Sequence, residues 1–90
     1  MYYILLALTQ ECCGVDIMER VKKISGGRVS VGPGPLYAML AKFEEKEIIR
    51  LTASEGRRKS YVITDSGKEE LKKEFERLKT MVLDGQFYFK

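Results

Sequence analysis

The two cysteines of this 90-residue chain, Cys12 and Cys13, are neighbours, and the chain has no histidine. These facts remove the usual reinforcements of a small domain. Adjacent cysteines pair only through a strained local ring, so no disulfide spans the fold. Their spacing is also wrong for a zinc site. One domain of this length lies near the lower end of what a single hydrophobic core holds together. Association with a partner subunit is the reinforcement that remains.

The apolar content of 44% is ordinary for a folded chain. No apolar run approaches the roughly 20 residues needed to cross a bilayer. The opening run Tyr2 to Leu8 has the hydrophobicity of a signal-peptide core. It lacks both the basic residues that precede such a core and a small-residue cleavage site after it. The run therefore reads as a buried first helix, and the protein as cytoplasmic.

No repeat or linker interrupts the chain, which reads as a single domain over 1–90. Gly14 ends the first run, and Ile17, Val21 and Ile24 then mark one stripe of a second helix from about Val15 to Ser25. Gly26-Gly27 terminates it. Arg28-Val29-Ser30-Val31 alternates polar and apolar residues and predicts a very short strand. Gly32-Pro33-Gly34-Pro35 reads as a turn, with Pro35 at the first position of a third helix, where a missing N–H costs nothing. Leu36, Leu40 and Phe43, with Met39 beside them, form that helix's buried stripe. Two β-rich segments follow, Ile48 to Thr52 and Ser60 to Thr64, joined by a charged turn at residues 55–59. Tyr61 and Ile63 share one face of the second segment.

Thr64 is placed to cap a last helix over 65–84, with Asp65 favourably in its first turn. Leu71, Phe75, Leu78 and Val82 recur at spacings of 4, 3 and 4, a heptad seam under two heptads long. So short a seam fits a two-helix interface and a helix packed on its own core equally well. The whole reads as a mainly α (α+β) winged helix-turn-helix: three helices and a small β-wing over 1–64, then a C-terminal helix.

Charge is unevenly distributed although the net value is only +3. Residues 1–19 carry three acids and no base, residues 20–59 carry ten bases and four acids, and residues 60–90 carry six of each. A basic middle section is the footprint of a surface that meets phosphates, although a merely solvated surface has the same composition. With its apolar stripe inward, the third helix shows Tyr37, Ala38, Ala41, Lys42 and Glu45 outward. Small alanines let a helix approach a major groove closely, and a hydroxyl and an ammonium suit phosphate oxygens. Arg57, Arg58 and Lys59 then concentrate three cations at the hairpin tip, where a wing reaches a neighbouring backbone or minor groove. A charged turn also protects edge strands from aggregation. Helix face and basic wing in this order favour double-stranded DNA as the partner.

The sequence resembles the PadR family of bacterial transcriptional regulators along essentially its whole length. The resemblance is carried by Tyr3-Ile4-Leu5-Leu6-Ala7-Leu8, by Gly14 with Asp16-Ile17, and by Ser25-Gly26-Gly27-Arg28-Val29. It continues through Gly32-Pro33-Gly34-Pro35-Leu36-Tyr37, Leu40, Phe43-Glu44-Glu45-Lys46, Gly56-Arg57-Arg58-Lys59-Ser60-Tyr61 and Ile63-Thr64-Asp65-Ser66-Gly67. It implies a homodimeric repressor that binds a partly palindromic operator. The third helix would enter the major groove, with Pro35, Tyr37, Ala38, Ala41 and Lys42 at the interface. Arg57, Arg58 and Lys59 would meet the flanking backbone. The last helix, through Leu71, Phe75, Leu78 and Val82, would make the dimer. A regulator of this kind is compatible with a small-molecule inducer, and no cofactor or metal is expected.

The chain departs from the family pattern at several positions. Pro35 stands where a Ser or Thr is usual, so a phosphate contact or cap is missing there. Glu47 follows the Glu-Glu-Lys run where a glycine is common. If that site needs positive φ, glutamate costs about 1 kcal/mol. Cys13 and Val15 replace the usual His and Tyr around Gly14. There is no tryptophan to stack a planar ligand at a dimer interface. The chain begins in its first helix and stops soon after its last, as in a minimal member or one lacking terminal segments.

An enzyme would have to use Cys12 or Cys13 without the usual histidine base. The sequence puts no basic residue next to them that would lower a thiol pKa, so both read as small hydrophobes at a helix-helix turn. The main alternative to DNA binding is a winged helix used for protein-protein assembly. Salt sensitivity of duplex binding separates the two.

Overall fold

Four helices and a three-stranded antiparallel sheet make up the computed structural model, which describes residues 2–89. The order is α1 (Tyr2–Ala7), β1 (Cys12–Cys13), α2 (Gly14–Ile24), α3 (Pro33–Glu45), β2 (Ile49–Glu55), β3 (Arg58–Ile63) and α4 (Asp65–Gln86). The apolar stripes read from the sequence meet in one core, except that Ile24, placed in the stripe of the second helix, is 46% exposed because α2 ends there. Ile4 and Leu8 of the N-terminal segment, Ile17 and Val21 of α2, and Leu36 and Leu40 of α3 are all fully or almost fully buried. Ile49, Tyr61 and Ile63 close the core from the sheet.

The short strand expected at residues 28–31 is absent. Its alternation is real, since Val29 and Val31 are half-buried and Ser30 is exposed, but the segment pairs with no strand. The edge of β3 it would need is taken by β1, through Cys12 opposite Tyr61 and Cys13 opposite Ser60. Ser25 instead folds the segment back. This fully buried hydroxyl accepts the Val29 N–H at 3.0 Å and lies 3.2 Å from the Lys22 carbonyl oxygen. Arg20 of α2 donates to the carbonyls of Ala7, the last residue of α1, and of Gln10 in the turn that follows.

Helix α3 starts two residues earlier than expected. Gly32 is its N-cap and Pro33 its first residue, so Pro35 occupies the third position. Both prolines remain within the first turn, where backbone N–H groups have no intrahelical acceptor. The first intrahelical bond runs from Leu36 N–H to the Gly32 carbonyl.

The wing is also longer than its composition suggested. Strands β2 and β3 pair out to Glu55–Arg58, leaving only Gly56 and Arg57 as the loop. Gly56 has φ of 60° and Arg57 does not share that sign, as in a two-residue hairpin turn with glycine first. Arg58 and Lys59 therefore belong to the strand rather than to the tip.

The last helix is held by its first turn. Thr64 caps it, accepting the Gly67 N–H at 3.0 Å and donating to the Glu47 and Ile48 carbonyls at 2.6 and 3.0 Å. Gly67 is buried against Ile48, and a Cβ there would run into the Ile48 carbonyl oxygen. Beyond this anchor α4 runs for 22 residues, about 33 Å at 1.5 Å per residue. Leu71 packs on the core and Leu78 is half-buried, whereas Phe75 and Val82 are 48% and 60% exposed. No helix among the described residues is long and apolar enough to cross a membrane.

Candidate nucleic-acid interface

The outward row of α3 and the wing stand beside each other and enclose an open cleft. Its walls are Tyr37, Ala41 and Glu44 from α3, and Gly56, Arg57, Lys59 and Tyr61 from the wing. The cleft thus unites four of the residues singled out in the sequence: Tyr37, Ala41, Arg57 and Lys59. Pro35, Ala38 and Lys42 are exposed on α3 outside its lining. Tyr61 forms part of its floor. Burial there, reinforced by Glu44, raises the phenol pKa, so the ring stays neutral.

Arg58 diverges from its neighbours. Its guanidinium lies beside the Cys13 thiol, and the two shift each other toward the charged forms. Cys13 is the N-cap of α2, and as a neutral thiol it makes no capping hydrogen bond. Its pKa is lowered first by Arg58 and then by the Val15 N–H in the first turn of α2. The expectation that no base neighbours the cysteines therefore fails in three dimensions, because β3 brings Arg58 across from 45 residues away. Cys12 behaves oppositely. It is buried, and desolvation raises its thiol pKa.

The floor of the cleft is completed by residues the sequence did not mark as part of a site: Cys13, Gly14 and Val15. Nothing local in the chain signals them, since their place depends on how β1 pairs with β3. No group of three or more His, Cys, Asp or Glu residues able to hold a metal occurs among the described residues.

A three-helix core with a helix-turn-helix pair, a β-hairpin wing beside the second of those helices, and cations on the wing define a winged-helix domain. Residues 4–73 match the transcriptional regulator PadR-like family, and the chain belongs to that family. A transcriptional regulator from Clostridium thermocellum superimposes with a TM-score of 0.80 at 19% identity, over 99% of this chain and 87% of that one. A PadR family regulator from Clostridium difficile gives 0.77 at 20% identity, over 99% and 98%. Bacillus subtilis PadR, solved in complex with operator DNA, gives 0.68 at 33% identity, over 82% of this chain and 46% of that protein. A 37.1 kDa protein of a Streptomyces fradiae transposon is 36% identical over 61 residues. Those residues are 68% of this chain but only 17% of that relative, so this chain spans a small part of its length.

Proposed function

We propose that the chain binds double-stranded DNA as a homodimer and represses transcription from an operator with two related half-sites. The single observation that carries this reading is the cleft in which Tyr37 and Ala41 of α3 face Arg57 and Lys59 of the wing. A major groove about 12 Å wide accepts one helix. With α3 in the groove, Ala38 and Ala41 allow close approach, while Tyr37 and Lys42 reach phosphate or base edges, with Pro35 at the helix entry. Arg57 and Lys59, with Arg58 behind them, neutralise the flanking backbone. The operator complex of the related Bacillus subtilis protein supports this choice of partner. The second copy is supported by the exposed Phe75 and Val82 on α4, which an isolated chain leaves in water. Work of this kind requires no catalytic residue and belongs in the cytoplasm, where an inducer would act on the dimer.

Duplex titration at several salt concentrations tests the proposal. Wild type should bind with a steep salt dependence, because phosphate neutralisation releases counterions. Replacing Arg57 and Lys59 by alanine should weaken operator and unrelated duplex by similar factors. The salt slope should flatten by about one unit per lost phosphate contact. Ala38→Glu should damage operator binding far more than nonspecific binding. Salt-insensitive behaviour, or no binding at low salt, would favour the protein-assembly module instead.

A further inference from the structure

Where β1 turns into α2, the backbone passes directly beneath the Tyr37 ring. A Cβ built on Gly14 would stand 3.2 Å from Tyr37 Cε1 and 3.4 Å from its hydroxyl oxygen. Unstrained carbon-carbon contacts lie at about 3.5–4.0 Å, so the ring occupies the space a side chain at residue 14 would need. Gly14 is buried, and its φ is not positive, so its own backbone would accept alanine. Glycine is therefore not required by the helix start, where alanine is the better former. The constraint comes from Tyr37, on another element.

The floor on which Tyr37 rests is itself fixed to the wing. Cys13, the residue before Gly14, pairs with Ser60 of β3, and Cys12 pairs with Tyr61. The lowered Cys13 thiol pKa reports a second tie, to Arg58 of the same strand. One short piece of backbone thus ties the seat of the Tyr37 ring to the strand that carries wing cations. Helix α3 also packs on β2, so this tie adds to the core contacts that set the width of the cleft.

We propose that Gly14 is a positioning residue of the interface: the space left by its missing side chain seats Tyr37 at a fixed distance from the wing. This inference rests on Tyr37 being a DNA contact, and it extends the interface to a residue buried beneath that contact. Gly14→Ala should lift the ring by a few tenths of an ångström and move the hydroxyl out of register with the wing cations.

The experiment is a double-mutant cycle of Gly14→Ala with Tyr37→Ala, measured on operator duplex at low salt, where charge alone keeps binding detectable. Gly14→Ala should weaken operator binding about fivefold in the presence of Tyr37 and leave it within about twofold on the Tyr37→Ala background. Any change in its thermal midpoint should be confined to the background that keeps Tyr37, whereas a general packing defect would lower it on both. The ring resonances of Tyr37 in aromatic NMR spectra should shift. A lower midpoint confined to the Tyr37 background would report the same contact as strain and support the inference. An equal loss of affinity on both backgrounds, or unmoved Tyr37 resonances, would overturn it. If wild type binds no duplex, the DNA reading fails by itself, and the Tyr37 resonances still decide whether Gly14 seats the ring.

Discussion

The winged body over residues 2–64 and the outer half of α4 use similar apolar side chains to opposite ends. In the body, Ile17, Leu36, Leu40 and Ile49 are sealed from water. On α4 beyond Leu78, Met81, Val82 and Leu83 are 56%, 60% and 56% exposed, and Phe87, Tyr88 and Phe89 after it are more exposed still. Few monomeric surfaces carry so dense an apolar run. The outer half is held as a helix by its own hydrogen bonds and by Arg77, whose guanidinium reaches Met81 Sδ one turn on. Exposed i,i+3 pairs such as Lys73–Glu70 and Arg77–Glu74 support the stretch before it. Exposed pairs of that kind contribute little, because water and salt screen them. The body is thus specified by its own core, whereas the arm is specified locally and left open for another surface.

The largest effect expected within this comparison lies in the body. Leu40→Ala removes a fully buried side chain and should cost about 2–5 kcal/mol in denaturant unfolding. The same truncation at Leu83 should cost well under 1 kcal/mol in any monomeric state. Comparable losses at the two sites would dissolve the distinction.

Val82→Glu sharpens it from the other side. In an isolated chain Val82 faces water, so the change should be nearly silent. In a dimer built on α4 it buries a charge, and the dissociation constant should rise tenfold or more, since each factor of ten is about 1.4 kcal/mol. Sedimentation across a dilution series reads the difference. Wild type already monomeric at micromolar concentration would leave the arm without its proposed partner.

A smaller change is expected at the joint between the two regions. Glu47 has φ of 59°, and the chain around it satisfies the end of α3, with Glu47 N–H on the Glu44 carbonyl and Ile48 N–H on the Phe43 carbonyl. Gly26 sits in the same arrangement after α2, with Gly27 N–H on the Lys22 carbonyl. Two helices therefore end alike, one with glycine and one with a residue that resists the left-handed conformation. Glu47→Gly should raise stability by up to about 1 kcal/mol, seen as a higher midpoint with the oligomeric state unchanged.

The smallest effect is a direction. Because Arg58 favours the Cys13 thiolate, alkylation of Cys13 should accelerate at a lower pH than for an ordinary thiol, and Arg58→Ala should move that profile upward. Cys12, buried with a raised pKa, should react only when the body opens. Equal rates at the two thiols in the native state would show that the body is not closed around β1.

Much of this architecture could be read along the chain, because the features that encode it are periodic or punctuated. The stripes of α2 and α3, the Thr64 cap and the inward pair Tyr61 and Ile63 are all local signals. Glu47 stood out only through the resemblance, as a side chain where the family commonly has a glycine. What escaped was set by pairing between distant segments. A two-residue strand has no period, so Cys12–Cys13 gave no sign of taking the β3 edge that residues 28–31 were expected to fill. The same pairing put Arg58 beside Cys13 and slid Gly14 under Tyr37. In the wing, charge marked the hairpin correctly but spread its tip over residues 55–59, where the loop is only Gly56 and Arg57, because strand pairing rather than composition fixes where a turn begins.

The knot of bonds at Thr64 makes α4 a lever. Three groups meet there, the Glu47 and Ile48 carbonyls and the Gly67 N–H, and together they fix the angle at which the helix leaves the body. Tilting a 33 Å arm by about 10° sweeps its far end through roughly 6 Å, close to the length of two base-pair steps. In a two-fold pair joined along such arms, that angle fixes how far apart the two copies of α3 stand. Under the proposed mode of binding, the spacing of half-sites on the DNA would then be written in the cap of α4 rather than in the helix that reads the groove.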